Sequence, residues 1–360
     1  MKDKITCLLF ALVLLCGSAL CLFYPKDDFS ESERRELKAF PELTAESVFS
    51  GSFTEEFEEH VTDTFPFRDF FRAIKAHTSA ALFGKKDNNG LFTENAHLSK
   101  IDYPLQTPML DHAAERFEYI NKTYLDGKAG KVFLSIIPDK NYFLNTLKYD
   151  YASLTSYMRE KMPYAEYVDI FPCLELADYY FTDSHWRQTE LSLVSEKLAA
   201  ALDADIATEH TLKTLDIPFY GVYSGQSARF NSSDTISYLT SDVLSSCTVT
   251  SYDTGKPETV QMYNFEKAEG RDGYDFFLSG GSALLTIENP MQKNGRELII
   301  FRDSFASSLA PLLVPGYSEI TLVDIRYIKS EMLGSFVDFE NTDVLFLYCT
   351  SMLNSSLGLR

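Results

Sequence analysis

The sequence has few of the residues that build disulfide and metal sites. Three of its six cysteines lie in a first apolar segment and three are widely spaced: Cys7, Cys16 and Cys21, then Cys173, Cys247 and Cys349. An odd number of distant cysteines is not a disulfide framework, and none forms the close pair with Cys or His that zinc needs. The sequence therefore predicts no metal site and no cofactor, and its later thiols are expected to be small buried side chains.

Positive charge is also scarce. There are 33 Lys and Arg residues against 52 Asp and Glu, giving a net charge of -19 and a pI near 4.7. Such a field repels polyanions, which argues against nucleic acid or an anionic membrane surface as the partner. The 45% hydrophobic content excludes a disordered chain and suffices for one large or two smaller domains.

Charge is absent from one long stretch near the beginning. From Ile5 to Tyr24 there are 20 uncharged residues, preceded by Lys2 and Lys4. This length spans about 30 Å of hydrocarbon as a helix, and the basic end is expected to stay in the cytoplasm. We interpret 1–28 as an uncleaved signal anchor, the alternative being a removed signal peptide. In both cases the remainder lies outside the cytoplasm, on the cell membrane or secreted.

The next region, 29–98, is rich in charge and phenylalanine. Phe49, Phe53, Phe57 and Val61 recur at four-residue spacing, which is typical of one apolar face of a helix, and Pro66 ends the pattern. We predict a helical extension over 29–98 that packs on a main domain covering 99–360.

The main domain shows strands alternating with helices. Continuously apolar runs predict buried strands at KVFLSIIP, YVDIFP, ELIIF, EITLVDI and DVLFLYC, and ELSLVSEKLAAAL and SFASSLAPLL predict helices. This order indicates an α/β fold with a mostly parallel sheet covered on both faces. The interval from about 216 to 277, rich in Ser, Thr, Asp and Tyr, is expected to be a partly β insertion.

A candidate nucleophile follows one of these strands. Ser304 stands where ELIIF runs through Arg-Asp-Ser into a helix. Active sites of parallel sheets form in such loops, and the first turn of a helix favours the negative charge of an alkoxide or oxyanion. The alternative is that Ser304 or Asp303 only caps the helix.

A candidate base lies in YYFTDSHWRQTE. Asp183 stands two residues before His185, and a carboxylate at this spacing can orient an imidazole and stabilise its charged form. The only tryptophan, Trp186, follows directly.

These motifs resemble the DHHW family of exported bacterial proteins, named for an Asp-His-His-Trp motif. The resemblance rests on TDSHW, FRDSFASSLAPLL, YSEITLVDIRYI, SERRELKAFPELT and DGYDFFLSGGSALLTIENP, in that family's order, and covers nearly the whole chain. Here Ser184 replaces the first histidine of the motif. The family is similar to the SGNH-hydrolase-like domains of alginate O-acetyltransferases, in which the Asp-x-His pair precedes the serine. The resemblance therefore implies an SGNH-hydrolase-like three-layer sandwich.

The resemblance also implies roles for residues. Asp183 is expected to orient the base His185, which activates the nucleophile Ser304. The family's FLGGN-like turn reads FLSGG here, so the backbone N–H groups of Ser304 and Gly280 are the candidates for the oxyanion hole. Four further side chains are candidates for substrate contact: Arg302, Trp186, Lys140 and Arg326. Arg302 resembles a basic residue that DHHW proteins tend to show. The other three have structural alternatives, namely packing for Trp186 and salt bridges for Lys140 and Arg326.

The function that follows is an extracytoplasmic O-acyltransferase, expected to be an O-acetyltransferase, that modifies a cell-envelope or secreted polysaccharide. By analogy with the alginate system, a membrane-bound O-acyltransferase would supply the acyl group, and the N-terminal helix would hold the chain at the membrane. Two alternatives stay open: a carbohydrate acetylesterase with the same triad, and a non-catalytic glycan-binding scaffold.

Overall fold

The computed structural model describes residues 2–229 and 232–360, without the side chains of residues 2 and 3. The described residues form two compact units. The first comprises 2–89 and 224–229, and the second comprises 90–223 and 232–360. The division falls a few residues before the predicted boundary at 98, so the hairpin that follows residue 90 belongs to the second unit.

The first unit is mainly helical. Its elements are α1 Lys2–Phe23, β1 Phe29–Ser30, β2 Arg35–Glu36, α2 Ala45–Ser50, α3 Ser52–Asp63, α4 Arg68–Phe83 and β3 Asp87–Asn88. The four-residue apolar pattern continues across two helices rather than one, because Gly51 adopts a φ of 85° between α2 and α3. Helix α1 is long and apolar enough to cross a membrane over Lys4–Phe23.

The second unit contains the strands β4 Leu91–Glu94, β5 His97–Lys100, β6 Val132–Ile137, β7 Glu166–Tyr167, β8 Thr211–Thr214, β9 Ser237–Thr240, β10 Thr248–Ser251, β11 Glu258–Val260, β12 Leu284–Glu288, β13 Glu297–Arg302, β14 Glu319–Val323 and β15 Asp343–Cys349. Its helices are α5 Thr107–Ile120, α6 Tyr151–Lys161, α7 Ser192–Ala201, α9 Asp242–Ser246, α10 Phe265–Ala268, α11 Ala306–Leu313 and α12 Thr350–Leu353. Helix α8 Val222–Ser227 begins in the second unit and ends in the first.

Eight strands form the central sheet, in the order β11-β10-β12-β14-β13-β15-β6-β7. The pairs from β14 to β7 are parallel, and those from β11 to β14 are antiparallel. Parallel strands buried on both faces have continuously apolar sequences, which is why β6, β13, β14 and β15 were recognisable. The carboxyl ends of β6, β13 and β15 therefore meet at one edge of the sheet.

Side chains of β13 alternate between two cores. Leu298 and Ile300 pack in the core that also contains residues of α7 and α11, whereas Ile299 and Phe301 pack in the core that contains residues of α5 and α6. This alternation is the period of two that a strand imposes. The predicted α/β fold, a sheet between two helical layers, is confirmed.

The interval expected as an insertion divides between two sheets. Strands β10 and β11 extend the antiparallel side of the central sheet, and β9 pairs with β8, which begins before residue 216. A third cluster of buried aromatic side chains, which includes Tyr180, Phe219 and Tyr274, packs beside these elements.

Candidate active site

Ser304 lies in the short turn between β13 and α11. The neighbouring Asp303 carboxylate accepts hydrogen bonds from the N–H of Phe305 at 3.0 Å and of Cys349 at 2.7 Å. Asp303 is fully buried, and burial raises the pKa of its carboxyl group. Asp303 thus binds the N–H of Phe305, the residue before α11, and ties β13 to β15. In the described ranges no side-chain capping bond forms at the start of α11, so the Ser304 side chain does not serve as the cap.

The Ser304 hydroxyl instead faces His185. Its Oγ lies 2.7 Å from His185 Nε2, and His185 Nδ1 lies 2.5 Å from Asp183 Oδ1. A proton on Nδ1 is stabilised by the carboxylate, which leaves the lone pair of Nε2 free to accept the Ser304 O–H. Residues separated by 119 positions in the sequence are thereby joined in one hydrogen-bonded chain.

The loop that carries Asp183 and His185, named the base loop after the role predicted for His185, is held by hydrogen bonds to residues outside it. Asp234 accepts hydrogen bonds from the N–H groups of Phe181 and Thr182 at 2.9 and 2.7 Å, and from the Thr182 hydroxyl at 2.6 Å. The Thr182 hydroxyl in turn accepts from the N–H of Gly221 at 2.9 Å. A Cβ on Gly221 would lie 2.3 Å from Cβ of Asp183, so only glycine allows this approach.

The second oxygen of the Asp183 carboxylate also accepts a hydrogen bond. Asp183 Oδ2 accepts a hydrogen bond from the N–H of Val222 at 2.9 Å, while Oδ1 accepts the N–H of His185 at 3.0 Å in addition to its ring nitrogen. The carboxylate is fully buried, and each of these donors favours its charged form.

An aromatic ring fixes the plane of the imidazole. Tyr274 stacks on His185 with ring centroids 3.8 Å apart and planes 5° from parallel. Its hydroxyl donates to Ser308 Oγ at 2.8 Å, which anchors the tyrosine to α11. Burial raises the pKa of Tyr274 well above its usual value, so the ring stays neutral.

Of the two roles left open for Trp186, substrate contact and packing, the structure favours packing. The side chain is fully buried, and its indole N–H donates to the Phe305 carbonyl and to Ser308 Oγ, both at 3.0 Å. The polar N–H needs a partner once the ring enters the core, and α11 supplies it. Trp186 therefore packs the base loop against α11, the helix that follows Ser304.

The two candidate oxyanion donors differ. The N–H of Ser304 makes no hydrogen bond within the part of the chain that the structure describes. The N–H of Gly280 donates to the Phe277 carbonyl at 3.2 Å, a bond it would have to exchange for one to substrate. Gly280 has a φ of 95°, and a Cβ there would meet the Asp275 carboxylate at 2.6 Å, so the turn itself requires glycine.

Neither arginine candidate is aimed at a substrate. Arg302 is fully buried and donates to Ser307 Oγ at 2.8 Å, and burial lowers the pKa of its guanidinium. Arg326 forms a two-pronged ion pair with Asp324, with nitrogen to oxygen distances of 2.9 and 2.6 Å. The salt-bridge alternative holds for Arg326, and the prediction of substrate contact by Arg302 is wrong because the side chain is enclosed in the core.

Lys140 lies closer to the site. Its ammonium donates to the Tyr180 carbonyl at 3.0 Å and stands 5.2 Å from the Tyr223 ring centroid. Burial lowers the pKa of Lys140 to about 7, although the nearby Asp183 favours the charged form. The Lys140 side chain thus holds the backbone at Tyr180, which leads into the base loop.

Lys140 also lines a cleft beside the triad. The cleft has a volume of about 190 Å³. It is bordered by Ser184, which precedes His185, and by Phe305, which follows Ser304. Other lining residues include Asp102, Asp139, Asn141 and Tyr223. Burial raises the pKa of Asp102 to about 6. The cleft thus presents hydrogen-bonding groups within reach of the Ser304 turn.

Three supporting residues were missed by the sequence analysis: Gly221, Asp234 and Tyr274. They lie 36 to 89 positions after His185 in the sequence, and no local pattern links them to it. Among the described residues, no group of three or more His, Cys, Asp or Glu side chains could hold a metal ion.

Solved structures similar to this chain share its fold. A DHHW family protein from Eubacterium siraeum matches with a TM-score of 0.62 and 21% identity, covering 76% of this chain and 95% of that one. Bacillus cereus PatB1 matches with a TM-score of 0.57 and 16% identity over 74% of this chain and 97% of that one. PatB1 carrying a sulfonyl adduct gives a TM-score of 0.58 with 16% identity over 73% and 95%.

No protein-family model and no curated protein sequence matches the chain. At these identities the structural likeness concerns the fold. The resemblance to the DHHW family, inferred from sequence motifs, is thus confirmed in three dimensions: the chain has the α/β fold of a DHHW family protein.

Proposed function

We propose that the chain is an extracytoplasmic O-acyltransferase that uses Ser304, His185 and Asp183 to transfer an acyl group, expected to be acetyl, to a hydroxyl of a polysaccharide. The observation that carries the proposal is the continuous hydrogen-bonded chain from Asp183 through His185 to Ser304, with its links of 2.5 and 2.7 Å. Such a chain activates a serine hydroxyl at neutral pH.

The first half of the reaction acylates the enzyme. His185 Nε2 takes the proton of Ser304 as its Oγ attacks the carbonyl carbon of the donor ester. The oxyanion of the tetrahedral intermediate then accepts a hydrogen bond from the N–H of Ser304. When the oxyanion collapses, the bond to the donor's alcohol breaks, and His185 returns the proton to this leaving group. Asp183 stabilises the imidazolium between these steps.

The second half transfers the acyl group. A hydroxyl of the acceptor gives its proton to His185 and attacks the acyl carbon, and Ser304 leaves with that proton. The cleft supports a small occupant because its volume of about 190 Å³ is below the several hundred Å³ of pockets that enclose whole drug-sized ligands. It suits one acyl group or one sugar unit of a chain that continues into solvent.

The source of the acyl group follows from location. If α1 spans the membrane and the second unit lies outside, acetyl-CoA does not reach the site. A membrane-bound acyltransferase that passes acyl groups outward is the partner that this placement requires. The net charge of -19 favours a neutral acceptor over a strongly anionic one.

The test uses the full chain in detergent micelles with p-nitrophenyl acetate, with and without a panel of neutral oligosaccharides. We expect release of nitrophenol that is lost in Ser304→Ala and His185→Ala, and acetylated oligosaccharide as a product. The matched control is Ser246→Ala, an exposed serine of the same unit whose hydroxyl donates only to the Val243 carbonyl.

A second readout tests the nucleophile without a substrate. An activated serine displaces fluoride from phenylmethylsulfonyl fluoride to form a sulfonate ester, with release of HF. We expect this mass increase on Ser304 in the wild type and in Ser246→Ala, and none in His185→Ala. Acetate release at the same rate with and without oligosaccharide would indicate an esterase. If neither labelling nor turnover occurred while oligosaccharide still bound, the result would contradict the enzyme proposal and favour a non-catalytic glycan-binding scaffold.

A further inference from the structure

One face of α4 is apolar and exposed. Phe70, Phe71, Ile74 and Leu82 of α4 fall within 120° on a helical projection, and Phe67 directly precedes the helix with a φ of 55°. Between 46% and 74% of each of these five side chains is accessible. Ala76, on the opposite side of the helix, is fully buried. We call this set of five residues the aromatic face of α4. Bulky apolar side chains that are exposed together in this way indicate a contact outside the described chain.

The aromatic face begins beside the end of the candidate membrane span. Helix α1 is apolar over Lys4–Phe23, and the next residue, Tyr24, contacts Phe67 with ring centroids 5.2 Å apart. Lys26 Nζ lies 3.3 Å from His60 Nε2, near the end of α3. Tyrosine and lysine next to a span are the residues that lie at the level of the lipid headgroups.

The charges of the two long helices differ. The α4 segment carries the exposed Lys75, and the exposed Lys85 and Lys86 follow it, whereas Arg68 and Arg72 form ion pairs with Glu33 and Asp69. Its acidic residues are fewer, with Asp69 in the first turn and Asp87 after the helix. Helix α3, in contrast, carries four glutamates between 55 and 59. A helix with bulky apolar side chains on one face and basic residues on its flanks is typical of helices that lie in the interface of a bilayer.

We propose that the aromatic face of α4 lies on the outer surface of the same membrane that α1 crosses, with its phenylalanine rings among the upper acyl chains. Two contacts carry this inference: Tyr24 with Phe67, and Lys26 with His60, which hold α4 and α3 within three residues of the end of the span. The proposal depends on α1 as an anchor and not on the catalytic triad. In this arrangement the first unit contacts the membrane surface next to the end of α1.

The experiment measures depth in the bilayer by fluorescence quenching. The single native Trp186 is buried in the second unit and gives a constant background. The full chain is placed in phosphatidylcholine vesicles whose acyl chains carry bromine either near the headgroup or near the terminal methyl. Three variants each add one tryptophan: Phe71→Trp on the aromatic face, Phe23→Trp at the end of α1, and Glu58→Trp on exposed α3 as the matched control.

We expect Phe71→Trp to lose most of its added fluorescence with bromine near the headgroup and less with bromine near the methyl end. Glu58→Trp is expected to keep its fluorescence in both lipids. Equal fluorescence of Phe71→Trp and Glu58→Trp in both lipids would overturn the proposal, as would stronger quenching of Phe71→Trp by the deep bromine.

Two further outcomes would also overturn it. Fluorescence of Phe71→Trp that changes with protein density and not with lipid bromination would assign the face to a second copy of the chain. Unquenched Phe23→Trp would remove the anchor on which the proposal rests. Nitrophenyl acetate turnover in the same vesicles reports separately on the triad, so failure of the membrane contact and failure of the catalytic proposal are distinguishable.

Discussion

The two units use aromatic residues in opposite ways. In the second unit Trp186, Phe301, Phe346 and Tyr348 are fully buried. In the first unit Phe49 is 92% exposed although it belongs to a regular four-residue apolar pattern. Apolar periodicity therefore indicates that a face exists, and tertiary structure decides whether protein, lipid or water covers it.

Because of this difference, we expect the two units to tolerate substitutions of aromatic residues differently. Burying a phenylalanine contributes about 1.5 to 3 kcal/mol, and this energy is available to the second unit but not to an exposed ring in the first. Changes in the second unit are thus expected to affect stability and catalysis, whereas changes on the exposed faces of the first unit affect contacts outside the chain. Four substitutions test this contrast.

The largest effect is expected from Asp183→Asn. An amide at this position donates toward the His185 ring nitrogen and so favours the wrong tautomer, in which Nε2 carries the proton and cannot accept one from Ser304. We expect kcat for nitrophenyl acetate to fall by about 10⁴-fold, with little change in fold. The control is the exposed Asp216→Asn. A decrease of less than about tenfold would show that Asp183 does not orient the base.

Lys140→Met tests a buried base of the second unit. The folded pKa is lowered from 10.5 to about 7, so between these values the unfolded chain binds a proton that the folded chain does not. The free energy of unfolding of the wild type therefore rises with pH in this window, by about 1.4 kcal/mol per pH unit from this group. Below pH 7 both states are protonated and the contribution is constant.

The measurement is denaturant unfolding of the full chain, followed by Trp186 fluorescence, at several pH values from 7 to 9.5. We expect the slope against pH to decrease in Lys140→Met. The exposed Lys293→Met serves as control and is expected to keep the slope of the wild type. Identical slopes in all three proteins would show that the Lys140 ammonium keeps an ordinary pKa and is reached by water.

Gly221→Ala tests the close approach behind the base loop. The added Cβ would lie 2.3 Å from Cβ of Asp183, so the backbone must move. We expect a loss of stability of about 1 to 3 kcal/mol together with reduced turnover, because the displaced loop carries both Asp183 and His185. In the control, Gly358→Ala, the nearest atom to the new Cβ is 3.9 Å away and both properties are expected to stay unchanged. Normal turnover in Gly221→Ala would mean that the loop adapts.

The sequence analysis singled out the three residues of the hydrogen-bonded chain but not the residues that support them. Strands β13 and β15 were recognisable because buried parallel strands are continuously apolar, and this placed Ser304 at a strand end. The roles of Asp183 and His185 came from a resemblance between motifs. Gly221 and Tyr274 could not be predicted, because only the folded backbone brings them against the base loop.

Two candidates for substrate contact are enclosed in the core. Arg302 was suggested by the family resemblance, and Trp186 by its position beside His185. Both are fully buried, and the partners that make burial possible, Ser307 and Ser308, lie on α11. Burial of a polar side chain depends on a hydrogen-bond partner that a sequence does not reveal.

The smallest effect is expected from Phe49→Ser in the first unit. The ring is 92% exposed, so its removal changes little buried area, and the free energy that protects the α3 amides is expected to change by less than about 0.5 kcal/mol. The measurement is hydrogen exchange of the full chain in detergent, with Phe346→Ala in the second unit as the contrasting core substitution. There we expect a loss of about 3 to 5 kcal/mol in the protection of β15. A loss above about 1 kcal/mol in Phe49→Ser would show that this ring is covered in solution, and the two units would then use their aromatic residues alike.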